Sequence, residues 1–168
     1  MSATAHPTIA MRPMLPADVP LLVDIFRSSI EELTADDYSE TQREAWAAVA
    51  DDEAAFGERL AKQLTLVGTM EGSPVGFASL KAPDVLDMLY VHPAAGEHGV
   101  ATMLVDALEK LAAARGAAKL TADVSDSAVE FFRKRGFVAQ MRNSQPRGGE
   151  WLANTTMEKK LVPQEKAQ

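Results

Sequence analysis

At 168 residues and 46% hydrophobic composition, the chain has room for one domain with a sizeable core and none for a second. A formal net charge of -7 argues against a nucleic-acid partner, whose phosphates are met by clustered Lys and Arg. With no cysteine, a disulfide, a thiolate metal site and a cysteine nucleophile are all excluded. No apolar run is long enough to span a bilayer, and the start of the chain through His6-Pro7 lacks the regions of a secretion signal. A cytoplasmic protein without membrane contact is the expectation.

The polar or small residues 1–8 and 162–168 read as frayed tails around a single domain at 9–161. A first strand is expected around Ile9 to Met14. Pro16-Ala17-Asp18 follows, with Asp18 suited to accept from the open N–H groups of a helix. Leu21, Leu22, Ile25, Phe26, Ser29, Ile30 and Leu33 mark one face of that helix, which should pack on a sheet. Ser39-Glu40-Thr41-Gln42 has the form of a capping box and predicts a second helix through Trp46 and Val49. Asp51-Asp52 interrupts it, and Phe56 and Leu60 suggest a further helical piece.

The pattern then changes to short strands: Leu64 to Met70, a turn at Glu71-Gly72-Ser73, and Pro74 to Leu80, an antiparallel hairpin. Val85 to Val91 makes a third strand. The helix after it, from about Gly99 to Arg115, carries Val100, Met103, Leu104, Ala107, Leu108 and Leu111 on its buried stripe, and Gly116 ends it. Lys119 to Val124 reads as strand, Ser127 to Arg135 as helix with a basic last turn, and Phe137 to Arg142 and Trp151 to Lys160 as strands. This order fits an α/β or α+β sandwich with a mixed sheet.

The segment from Leu89 through Val91-His92-Pro93 to Gly99-Val100-Ala101-Thr102 is strand, short turn and small-residue helix start. Such a corner aims backbone N–H groups at an anion, and a phosphate is the natural ligand. The segment resembles the acyl-CoA-binding motif of the GNAT superfamily of N-acetyltransferases, with Val91-His92-Pro93 as the lead-in and Gly99 and Ala101 in the glycine-rich turn. Ser125-Asp126-Ser127-Ala128 and Phe131-Phe132-Arg133-Lys134-Arg135-Gly136-Phe137 are similar to that family's second cofactor-side segment. The likeness covers roughly Met11 to Leu161.

The resemblance implies a mixed, mostly antiparallel central sheet flanked by helices. Its fourth and fifth strands, here Val85 to Val91 and Lys119 to Val124, would splay to admit the pantetheine arm of acetyl-CoA, the co-substrate, with no metal. Leu89, Tyr90 and Val91 would follow the pantetheine. Gly96, Glu97, His98, Gly99, Val100, Ala101 and Thr102 would meet the pyrophosphate, and Ser125 and Phe132 would complete the cofactor site. Gly96 stands where the family usually has Gln or Arg, and Glu97 where it usually has glycine. A carboxylate at Glu97 would oppose the pyrophosphate by about 1 kcal/mol.

The implied function is direct transfer of an acetyl group from acetyl-CoA to a primary amine of a small molecule or protein, with no covalent enzyme intermediate. The Leu89 N–H would polarise the thioester carbonyl. The tyrosine that often protonates the departing thiolate is replaced by Phe132, which has no proton to give, so the thiolate would take a proton from water, depart unprotonated, or be served by Tyr90 as a candidate acid. Asp87 is the candidate base: it is the lone carboxylate of an apolar strand, burial would raise its pKa, and period two puts it on the face of Leu89; an edge or solvent-facing Asp is the competing reading. Tyr38, Gln42 and Trp46 recur at four-residue spacing and are the candidates for binding the acceptor; a core face is the competing reading of that spacing. Gly96, Glu97 and Phe132 also fit an alternative, a non-catalytic acyl-CoA-binding or regulatory domain. Homodimer assembly and the identity of the acceptor stay open.

Overall fold

Seven strands form one sheet in the computed structural model, which describes residues 6–162; the rest of the two expected tails, residues 1–5 and 163–168, lies outside the described residues. The strands are β1 (Ile9–Pro13), β2 (Leu64–Met70), β3 (Ser73–Lys81), β4 (Val85–Val91), β5 (Lys119–Ser125), β6 (Val138–Arg147) and β7 (Glu150–Lys160). They lie in the order β1-β2-β3-β4-β5-β7-β6, and every pair is antiparallel except β4 and β5. The helices are α1 (Val19–Leu33), α2 (Glu40–Ala47), α3 (Glu53–Ala61), α4 (Val100–Ala114) and α5 (Val129–Lys134). Among the described residues, no helix is long and apolar enough to cross a membrane.

The sheet has a core on each face. Val67, Phe77 and Met88 pack with Leu22, Phe26 and Ile30 of α1 and with Phe56 and Leu60 of α3. Their neighbours Ala78, Leu86, Leu120, Ala122 and Val124 face the other way, onto Val100, Leu104 and Leu108 of α4 and Phe132 of α5. Of the expected α4 stripe, Val100, Leu104, Ala107 and Leu108 are buried, joined by Val105 and Ala112. Met103 and Leu111 are only half-buried.

Local signals fix several ends. The capping box of α2 forms as its residues predict: the Gln42 N–H donates to Ser39 Oγ at 3.2 Å and the Ser39 N–H donates to Gln42 Oε1 at 2.8 Å. Asp52, expected only as an interruption, caps α3 by accepting from the Ala55 N–H at 3.0 Å. Asp18 does not cap α1. Its carboxylate takes both Arg12 guanidinium nitrogens, at 2.7 and 2.8 Å, and the Leu15 N–H at 2.7 Å, closing a short 3-10 turn before the helix. Those bonds, the one from Arg12 foremost, hold the Asp18 carboxyl below its ordinary pKa against the opposing pull of burial. Thr8, within the expected N-terminal tail, pairs its backbone with Glu71.

Two departures from regular pairing position the site. Ser79 of β3 pairs with Met88 and Leu80 pairs with Leu86, so Asp87 is the extra residue of a β-bulge. β4 and β5 pair only at Val85 with Thr121 and at Leu86 with Ala122. Beyond those two pairs the strands part, as the splayed architecture requires.

Candidate active site

The gap between β4 and β5 is edged by main-chain groups of β4. The His92 N–H donates to the Val75 carbonyl at 2.7 Å. Antiparallel alternation from that bond turns the peptide groups of Tyr90 toward β3 and those of Leu89 and Val91 toward the gap. With β5 diverged, the Leu89 and Val91 edge is open to a ligand with amide groups of its own.

At one end of this edge α4 begins. Gly99 precedes it with φ 81°, a left-handed conformation that glycine adopts without strain, and the first helical bond runs from the Met103 N–H to the Gly99 carbonyl at 3.0 Å. Among the described residues, the N–H groups of Gly99, Val100, Ala101 and Thr102 have no backbone acceptor. The Gly96 and His98 N–H groups, expected at the pyrophosphate, instead bond to the Pro93 and Ala95 carbonyls at 3.2 and 3.4 Å in a 3-10 turn. Glu97 is exposed beside them. Val100 is buried and reaches the sheet where two glycines leave room; a Cβ on Gly68 would lie 2.8 Å from Val100 Cγ1, and one on Gly76 would lie 3.1 Å away.

On the opposite face of the sheet the gap opens into a cavity of about 160 Å³. Asp87, Met88 and Tyr90 of β4, Asp123 and Ser125 of β5, Gln145 and Arg147 of β6, and Leu152, Ala153 and Asn154 of β7 line it. Phe26, Tyr38, Trp46, Val49 and Arg59 from the α1–α3 layer close it. The gap therefore joins a corner of N–H groups without backbone acceptors to a mixed aromatic and charged cavity.

The family model described as Acetyltransferase (GNAT) domain matches residues 34–161, which hold all the residues named at both mouths of this gap except Phe26. The chain belongs to the GNAT acetyltransferase family. An uncharacterized N-acetyltransferase of Escherichia coli, YafP, is 33% identical over 149 residues, 89% of this chain and 94% of that one. A GCN5-related N-acetyltransferase from Rhodopseudomonas palustris matches in structure with a TM-score of 0.91 at 61% identity, covering 95% of this chain and 100% of that one. The PaiA N-acetyltransferase from Thermoplasma acidophilum, solved in complex with coenzyme A, shares the fold with a TM-score of 0.74 at 21% identity over 91% and 99% of the two chains.

Within this GNAT domain the expected acceptor-side residues separate. Tyr38 and Trp46 line the cavity, their rings 5.4 Å apart, and Gln42 does not. Both ends of the Gln42 amide are held, one by the Ser39 N–H and the other by the Trp151 carbonyl at 2.8 Å. The Tyr38 hydroxyl donates to the Ala153 carbonyl at 2.6 Å and accepts from the Asp126 N–H at 2.9 Å, so it ties the α1–α2 connection to β5 and β7. The Tyr90 hydroxyl accepts from Trp46 Nε1 at 3.2 Å. Burial pushes the Tyr90 phenol up to about 12, with the Trp46 bond opposing.

Asp87 differs from its sequence reading in two ways. It lines the cavity with Met88 and Tyr90, because the bulge breaks the period-two alternation that would have grouped it with Leu89. Nor is it a lone carboxylate in apolar surroundings: Oδ2 accepts from Arg59 Nε at 3.0 Å and from Gln63 Nε2 at 2.8 Å, and lies 2.9 Å from Arg59 Nη2 in an ion pair. Phe132, expected at the cofactor, is buried against Phe131 and Phe137 at 5.4 and 5.0 Å and belongs to the core.

Sequence reasoning missed Arg59, Asp123, Gln145 and Arg147 in the cavity, and Arg135, which donates to Thr102 Oγ1 at 3.1 Å beside the first turn of α4. Two signals were present. Asp123 and Ser125 alternate with the buried Ala122 and Val124, and the Gly148-Gly149 pair between two extended runs marks a hairpin that carries β6 past Arg142 to Arg147.

Proposed function

We propose that the chain transfers an acetyl group from acetyl-CoA directly to a primary amine. The observation that carries this reading is the pairing of an open β4 edge at Leu89 and Val91 with the unbonded N–H groups at the start of α4, one able to hold a pantetheine and the other a pyrophosphate. Gly99, Val100, Ala101 and Thr102 would hold the phosphates and Leu89 the thioester oxygen. Coenzyme A in the related Thermoplasma enzyme supports the choice of nucleotide. Acetyl-CoA supplies a thioester carbon on which the amine nitrogen forms a C–N bond while the C–S bond breaks. One proton leaves the ammonium before attack, and a second passes from nitrogen to the sulfur.

Asp87 takes the amine's proton through water. Oδ2 is fixed by Arg59 and Gln63, and Oδ1 carries no hydrogen bond from protein among the described residues. A phenol pushed up to about 12 gives a proton to a thiolate, whose free-thiol value is about 8.5, only against the gradient. Tyr90 is thus a wall and hydrogen-bond partner of Trp46, and the sulfur's proton comes from the attacking nitrogen, whose N–H becomes acidic once the C–N bond has formed.

The alternative, an acyl-CoA-binding domain without turnover, draws on the exposed Glu97 carboxylate next to the phosphate corner. A thermal-shift titration with acetyl-CoA, paired with a free-thiol assay over an amine panel, separates the two. Stabilisation with amine-dependent thiol release is expected. Stabilisation without release from any amine supports the binder, and no stabilisation refutes both.

A further inference from the structure

Four charged side chains line the acceptor cavity: Arg59, Asp87, Asp123 and Arg147. Two cancel, since Arg59 and Asp87 form an ion pair at 2.9 Å. The others do not. Among the described residues neither Asp123 nor Arg147 makes a salt bridge, and the one side-chain bond to Asp123 comes from the Thr156 hydroxyl at 2.6 Å. Thr156 and Asn154 are in turn bridged by Asn143 Nδ2 at 2.8 and 2.9 Å, which fixes the wall from which Asp123 projects.

The cavity therefore has two poles. Asp123 sits on β5 just past its last pair with β4, next to the gap where the thioester would lie. Arg147 sits at the far end of β6, exposed, with its side chain lining the same cavity. Gln145, two residues earlier on the same strand face, makes no side-chain hydrogen bond among the described residues and adds a donor beside Arg147. The rings of Tyr38, Trp46 and Tyr90 line the same cavity, in edge contact with one another.

A ligand that leaves either pole unmatched gains less than one that matches both, and a guanidinium fork suits a carboxylate in particular. A second ammonium would meet Arg147 and be repelled. Resting on the transferase reading above, we propose that the acceptor is a small zwitterion, an amine that also carries a carboxylate, bound with its carboxylate on Arg147 and its ammonium on Asp123. Arg147 is then the residue that sets specificity, and Asp123 presents the nitrogen at the gap.

The test uses matched pairs that differ only by the carboxylate, 4-aminobutyrate with propylamine and 6-aminohexanoate with pentylamine, in the free-thiol assay. The carboxylate-bearing member of at least one pair should have kcat/KM about tenfold higher or more, and Arg147→Gln should collapse that ratio toward one through KM while Arg147→Lys restores part of it. The acetyl-CoA thermal shift of Arg147→Gln should match that of the native chain, which certifies its fold. Equal rates within both pairs, or a better rate for the carboxylate-free amine, overturn the proposal. If no amine reacts, calorimetry of the CoA-loaded protein with the same four compounds decides it separately. Zwitterion binding that Arg147→Gln abolishes sustains the site while the transferase reading fails; no zwitterion binding sinks the site as well.

Discussion

The two mouths of the β4–β5 gap are built from different materials. On the α4 side the groups on offer are peptide N–H groups at Leu89, Val91 and Gly99 to Thr102, placed by a strand edge and a helix start. On the α1–α3 side they are side chains brought from β4, β5, β6 and β7 and from the helices and connections above them. A main-chain site depends on the path of the backbone, so it tolerates exchanges of side chains and fails when a bulky group moves the path. A side-chain site behaves in the opposite way: one exchange can remove its chemistry and leave the fold intact.

The sharpest way to break this contrast is Asp87→Asn. The exchange keeps shape and takes away the proton acceptor, so turnover should fall by about 10²- to 10³-fold, while acetyl-CoA affinity from calorimetry stays as it was. Arg59, 39% exposed, can turn to water when its partner is lost, so the melting temperature should change little. Turnover equal to the native chain across pH would remove Asp87 from the chemistry.

On the other mouth, Gly68→Ala should act through the backbone. Its new methyl meets Val100 at 2.8 Å, and Val100 is the first residue of α4. Overpacking of this kind costs about 1 to 3 kcal/mol, and here the strain falls on the helix start, so stability and acetyl-CoA affinity should decline together. A loss of melting temperature with unchanged affinity would show that the phosphate corner does not depend on how Val100 seats.

Asp18 provides a reference away from both mouths. Asp18→Asn should cost about 1 to 2 kcal/mol, because Arg12 keeps part of its surface in water, with cofactor affinity unchanged. The sign of its pH dependence follows from the lowered folded pKa: the contribution is complete above the unfolded value of about 3.9 and disappears as pH falls through the lower folded value. Denaturation curves of native and variant chains should therefore converge in acid, and a difference that persists there would rule out the ion pair as its source.

The same contrast explains what could be read from the chain alone. The corner after Val91 was legible because its parts are contiguous and its geometry is local: a strand, a turn and a helix start announce themselves within fourteen residues, Leu89 to Thr102. The cavity was not, because its walls come from residues spread from Phe26 to Asn154 and only the sheet order brings them together. Spacing grouped Tyr38 with Trp46, and both line the cavity although Tyr38 precedes the cap of α2, but it could not show that the Gln42 amide is held by its own helix cap and by β7. For Asp87 the error was in the periodicity itself. One inserted residue turns the expected face over, and a bulge leaves no mark in a run of apolar residues as plain as Val85 to Val91.

Glu97 is the finest probe of the main-chain mouth, because there a side chain should matter only through its charge. The residue is exposed, lies three before the start of α4, and has no positive φ that would call for glycine. Its carboxylate favours the positive helix end when the corner is empty and opposes a pyrophosphate when the corner is filled. Glu97→Gln should therefore tighten acetyl-CoA by about fivefold, the equivalent of about 1 kcal/mol, and lower the melting temperature of the ligand-free chain slightly. Glu97→Gly should give the same gain in affinity if charge alone is at work and a larger one if the missing side chain also lets the phosphates approach. Added salt should shrink the charge part of the difference, since the residue stands in water. Equal or weaker affinity in both variants would mean that the pyrophosphate does not pass Glu97, and the main-chain corner would then hold the ligand by Gly99 to Thr102 without opposition.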